Sequence, residues 1–141
     1  MKYIDTALEA WFRAILASKG LAAKEQVYGG HIPQNAQIEK GILSFYHIST
    51  PILQKMTQTS VGDISQKTIQ ISAYGVTKQK TFDIIKAILS TTAGYSGFIG
   101  GGSSEPVEIL FGENLNWTPF FDAERGKWHC TADIKIVYRD T

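Results

Sequence analysis

Apolar and polar positions along the chain change period at one place, between Gln66 and Leu89. In the first half Ile69, Ile71 and Ala73 alternate with Thr68, Gln70, Ser72 and Tyr74, which is the pattern of a half-buried strand. At Gly75 the alternation stops. Thr77 is placed to cap a helix, and Phe82, Ile85, Ile88 and Leu89 then recur at helical spacing. A strand that turns directly into an amphipathic helix offers a sheet and the element to cover it.

The other elements are read the same way. Ile4, Leu8, Trp11, Phe12, Ile15 and Leu16 form one stripe of a first helix. Thr6 with Glu9 fits a capping box, Asp5 is a competing N-cap, and Gly20 is a natural terminator with Leu21 folding back. Val27, Tyr28 and Ile32 suggest a short strand, followed by an irregular loop PQNAQIEKG. Ile42–Ser49 is apolar on both faces, as a central strand is, so Pro51 must sit at a bulge or an unpaired edge. The stretch from Ser49 to Ser65 carries only Lys55 and Asp63 as charges, with Ile52, Leu53, Met56, Val61 and Ile64 among its apolar residues. It reads as a long hairpin turning near Val61–Asp63 and running into the alternating strand. Two readings of it stand, a loop without a partner and an arm that packs on another subunit.

After the second helix, GYSGFIGGGSS lacks the Lys-Ser/Thr ending of a phosphate loop and follows a helix instead of opening one. It reads as a flexible turn back to the sheet. Val107, Ile109 and Phe111 mark a further strand. Trp128, Cys130, Ala132, Ile134, Ile136 and Tyr138 line one face of the last. Trp117, Phe120 and Phe121 lie between these strands, beside a turn at Asp122–Gly126. The sum is one domain over residues 1–141, α+β, with a mainly antiparallel sheet and two helices packed on one face. The expected core joins Trp11 and Ile15 to Phe82, Ile85, Trp128, Ile134 and Ile136.

Composition narrows function more than it identifies it. With 43% apolar and 19% charged residues in 141, the chain has the make-up of a globular domain. Fourteen basic against thirteen acidic side chains argue against a dedicated nucleic-acid binder, which needs clustered Lys and Arg. Cys130 is the sole cysteine, so no internal disulfide forms and a reducing compartment is expected. No apolar run approaches a membrane span, and MKYIDTALEAW lacks a signal-peptide pattern, so a soluble, cytoplasmically made product is expected. His31, His47, His129 and Cys130 are the candidate reactive residues, but none stands at metal-ligand spacing. Neighbours on one strand, His129 and Cys130 leave opposite faces, and Cys130 falls on the apolar side. The acids Asp122 and Glu124 sit beside Arg125 in a turn and read as solvated charge. No catalytic, metal or cofactor residue is expected.

Three stretches together carry a resemblance. They are the opening helix IDTALEAWFRAIL followed by VYGGHIPQ, the strand–helix unit with Gln66, Gln70, Ile71 and Tyr74, and the ending FFDAERGKWHCTADIKIVYRD. In order and spacing these resemble the tail-completion, or tail terminator, family of long-tailed bacteriophages, over nearly the whole chain. Thr50–Ser65 and Gly94–Ser104 depart from the family pattern. The resemblance implies a protein without catalysis that forms a ring, commonly a hexamer, on the head-proximal end of the tail tube in the virion. Its partners would be further copies of itself, the tail tube protein and the head-completion or neck protein. DNA would pass through the lumen without being read, and no membrane is involved. Another neck or tail-tube component is an alternative, as is a ligand-binding or hydrolytic domain in which His31, His47 and Cys130 converge.

The site expectation follows from surplus apolar residues. The strands and helices already supply enough to cover one sheet face, which leaves Ile52, Leu53, Met56, Trp117, Phe120 and Phe121 over at element ends. With Lys55, Val61 and Arg125 from the same stretches, these are the candidate contacts to subunit, tail and neck. The plainer reading is that Trp117 or Phe121 folds back to cap the sheet.

Overall fold

The computed structural model describes residues 4–49, 52–54, 64–101, 104–122 and 127–139. In chain order the elements are α1 (Asp5–Ser18), β1 (Val27–Gly29), β2 (Ile42–Ser49), β3 (Ile52–Gln54), β4 (Ile64–Gly75), α2 (Lys78–Thr92), β5 (Gly97–Gly101), β6 (Ser104–Asp122) and β7 (Lys127–Arg139). Seven strands form one sheet in the order β1-β2-β4-β7-β6-β5, with β3 beside β4. Every pairing is antiparallel except β1 with β2. The α+β class and the mainly antiparallel sheet are thus as the sequence indicates. No described helix is long and apolar enough to cross a membrane.

The alternating stretch is the middle of the sheet. Strand β4 pairs β2 and β3 on one side and β7 on the other, with Ile69, Ile71 and Ala73 opposite Ile134, Ala132 and Cys130. All six are buried and belong to one apolar core with side chains of both helices. Helix α1 packs on β1, β5 and β6, α2 packs on β4, β7 and β6, and the helices touch each other. Phe12 meets Phe45 of β2 edge to face at 5.3 Å, and Trp11 meets Tyr95 at 4.8 Å.

Helix ends follow the sequence in two cases and depart from it in one. Thr77 caps α2, its hydroxyl accepting the Lys80 N–H. Gly20, at φ +69, ends α1 with its N–H on the Ala17 carbonyl, while the Leu21 N–H reaches Leu16. At the start of α1 the capping box does not form, because Ile4 holds the cap position without a side-chain bond. Other partners take the two carboxylates, one distant in sequence and one a turn along the same helix. Asp5 bonds His47, and Glu9 bonds Arg13, whose guanidinium also reaches the Lys24 and Val27 carbonyls.

Three further expectations are corrected. The glycine-rich run is not irregular, since β5 forms within it and pairs β6 with Ile99 inward and Phe98 outward. The stretch ENLNWTPFFD is not a loop either; it continues β6 to Asp122 along β7. Register shifts at Ile109/Phe111 and Asn114/Asn116 make this possible, each inserting one residue that turns the following side chain to the other face. That is why Phe111 is 48% exposed although Val107 and Ile109, at the same parity, are buried. Finally, Phe82 and Trp128 are only partly buried and sit outside the central core, with the Lys78 ammonium 5.3 and 5.6 Å from their rings. Helix α2 is rotated so that Thr81, Ile84, Ile85, Ala87 and Ile88 point inward instead.

The loop before β2 is pinned by one buried side chain. Gln26 is 6% exposed; its amide nitrogen donates to the Gln37 and Gly41 carbonyls at 2.7 and 2.6 Å, and its oxygen accepts the Gln37 N–H. A short 3-10 turn at Ile38–Lys40 stands where the sequence suggests only irregular chain.

Candidate functional site

Of the candidate contact residues, Lys55, Met56, Val61 and Arg125 lie outside the described residues. Ile52, Leu53, Trp117, Phe120 and Phe121 are placed by backbone register. Strand β3 holds Ile52 opposite Ser65, at the start of β4. Strand β6 holds Trp117 opposite Ala132, Phe120 opposite His129 and Phe121 opposite Trp128. Ser65 in turn pairs Tyr138, near the end of β7, whereas Trp128 pairs Gly75, at the end of β4.

The two candidate stretches are therefore not brought together. By register Ile52 and Phe121 stand ten positions apart along β4, roughly 33 Å at about 3.3 Å per residue, whereas Trp117 is level with Ile71, six positions or roughly 20 Å from the Ile52 end. Beyond Gly112, β6 pairs only β7 among the described residues, while β7 stays paired to β4 on its other side, so this half of β6, the β6 arm, is an edge strand of the sheet. Pro119 lies in that arm, and a proline is tolerated at a sheet edge where its missing N–H points away from the ladder. The base of the arm is anchored. Asn114 donates to the Leu89 carbonyl at 2.9 Å and accepts the Thr92 hydroxyl at 3.0 Å, tying β6 to the last turn of α2.

Sequence reasoning missed a second group of exposed apolar side chains. Tyr46 is 50%, Ile48 51%, Phe98 68% and Leu115 47% exposed, besides Phe111. Phe98 was concealed by the glycines around it. The signal for Tyr46 and Ile48 was present in the two-sided apolarity of β2, which reads as burial on both faces and is so only as far as Phe45. Tyr46, and Phe111 through Val137, fall with Gln70 and Asp133 on the side of the sheet turned away from the core residues of β4 and β7.

On that side the strands pair their charges with each other. Lys135 meets Glu113 at 3.2 Å and Arg139 meets Glu108 at 2.8 Å, while the Tyr46 hydroxyl donates to Gln70. Tyr74 and His129 stack at 4.2 Å, with the Lys127 ammonium 5.6 Å from the Tyr74 ring. The Asp133 Oδ1 is buried without a described partner. Such a surface has aromatic and aliphatic edges, little net charge and no single charged focus.

The reactive candidates do not assemble a site. His47 pairs Ile69 and Cys130 pairs Ala73, four positions along β4, so about 13 Å of strand separates them. His31 is exposed after β1, and His129 faces away from Cys130. Burial pushes the Cys130 thiol up to about 11, which leaves it protonated and poorly nucleophilic. No group of three His, Cys, Asp or Glu able to hold a metal occurs among the described residues. An apolar groove runs along α2, lined by Phe82, Ile85, Lys86, Leu89, Ala93 and Asn114, with a volume of about 400 Å³.

No family model matches the chain, and no curated protein matches it in sequence. Among solved structures it is similar in fold to a chain described as "Virion of native gene transfer agent (GTA) particle". The TM-score is 0.64 at 11% identity, and the alignment covers 97% of this chain and 98% of that one. Such a likeness is one of fold, shared over the full length of both chains.

Proposed function

We propose that this chain is a structural component of a phage-like virion and, within that class, a tail terminator. The observation that carries the reading is the end-to-end fold likeness to a chain from a gene transfer agent virion, at a sequence identity too low to reflect anything but architecture. The resemblance of three sequence stretches to the terminator family narrows it. In this reading copies of the chain close into a ring, a hexamer, on the head-proximal end of the tail tube. Contacts between copies are heterologous, with unlike surfaces meeting around the ring. Both helices cover one face of the sheet, in keeping with their shared core, and the opposite face is left to neighbours or to the lumen. The near-neutral composition and the cross-strand ion pairs suit a channel through which DNA passes without being retained. The protein performs no catalysis and needs no cofactor.

A cap must present two unlike ends, one that mimics a tube ring and one that refuses another. In this reading a separate stretch of the chain serves each. Ile52 and Leu53 of β3 stand at one end of the sheet, and in this reading Lys55, Met56 and Val61, outside the described residues, belong to the same contact. Phe120 and Phe121 of β6 stand toward the other, and in this reading Trp117, nearer the middle, and Arg125, outside the described residues, belong to that contact. One would meet the tail tube and the other the head-completion or neck protein.

The test is electron microscopy of tails assembled with and without the protein. Its absence should leave tails of uncontrolled length that fail to join heads. Met56→Asp with Phe120→Asp should leave the circular dichroism spectrum intact and reproduce that defect. Tails of normal length that join heads in the protein's absence would refute the terminator role. Normal tails with the doubly substituted protein would instead remove the hairpins from the interface while leaving the role standing.

A further inference from the structure

We draw no further inference here: the strongest candidate, the apolar groove of about 400 Å³ between α2 and the base of the β6 arm, carries nothing because nothing in the structure shows what covers it.

Discussion

Gly112 is where β6 passes closest to the end of α2, and replacing it with alanine tests the junction that anchors the arm. A Cβ built there would stand 2.3 Å from the Thr92 carbonyl oxygen and 3.4 Å from its carbon. Those are backbone atoms, so no rotamer change relieves the overlap. The strand or the helix end must move. Two sets of bonds depend on that separation. The Gly94 N–H donates to the Gly112 carbonyl at 2.8 Å, and Asn114 bridges Leu89 and Thr92. Inserting a methyl group into a packed site costs roughly 1–3 kcal/mol, and loosening one or two of these bonds adds about 1 kcal/mol. Against this, alanine restricts the unfolded chain and returns about 0.4–1 kcal/mol. The expected net loss is about 1–3 kcal/mol, or a fall of roughly 3–10 °C in melting midpoint for a domain of this size. Thermal and urea unfolding followed by circular dichroism would read it. Asn114→Ala alone should cost less, and the double change less than the sum, because both act on one junction. A Gly112→Ala protein melting within about 1 °C of the parent would show that β6 and α2 do not meet this closely.

Three other predictions rest on buried groups. Gln26→Ala should lower stability by on the order of 2–3 kcal/mol in urea unfolding, since two carbonyls and one N–H lose their partner in a buried site. Ile88→Ala, at a fully buried position, should cost about 2–5 kcal/mol, but Phe82→Ala only about 1–2 kcal/mol because its ring is partly exposed; equal losses would contradict the observed rotation of α2. Cys130 titrates at about 11 in the folded protein against an ordinary 9.0, so the folded state holds its proton more tightly. The associated stability is present below pH 9 and is lost as pH rises from about 9 to 11. It is on the order of 3 kcal/mol at most and should vanish from the pH dependence of Cys130→Ala.

Where the chain keeps a single period, its structure was legible. The alternation of Ile69, Ile71 and Ala73 and that of Cys130 through Tyr138 gave both central strands, because a buried face on one side fixes register. The helix stripes and the Thr77 and Gly20 caps were likewise local. What could not be read were features set by distant partners. The carboxylate of Asp5 follows His47 of β2 instead of capping α1, while Glu9 is held by Arg13 one turn along the same helix. Bulges in β6 are invisible to a parity argument, which grouped Phe111 with Val107 and Ile109 and ended the strand too soon. Phe82 shows the same limit in a helix. A stripe of apolar residues wide enough to cover a sheet does not say which of its margins faces inward, and here Ile84 and Ala87 took that place.

The candidate site was legible in a different sense. Sequence alone could identify surplus apolar residues but not their placement, and placement is what bears on a capping role. Had both hairpins met at one end of the sheet, they would have formed one larger patch, suited to a single partner. Register instead assigns Ile52 and Phe121 to opposite ends of β4, with the rigid sheet between them. In the proposed role, a joint must hold its two contact surfaces at a fixed spacing while each engages a separate ring. A sheet whose middle strands, β4 and β7, are paired along twelve successive positions and backed by a buried core provides that spacing. The exposed Phe98 and Phe111 lie on β5 and β6 near the β3 end of the sheet, Tyr46, Ile48 and Leu115 lie level with the middle of β4, and Val76 follows its far end.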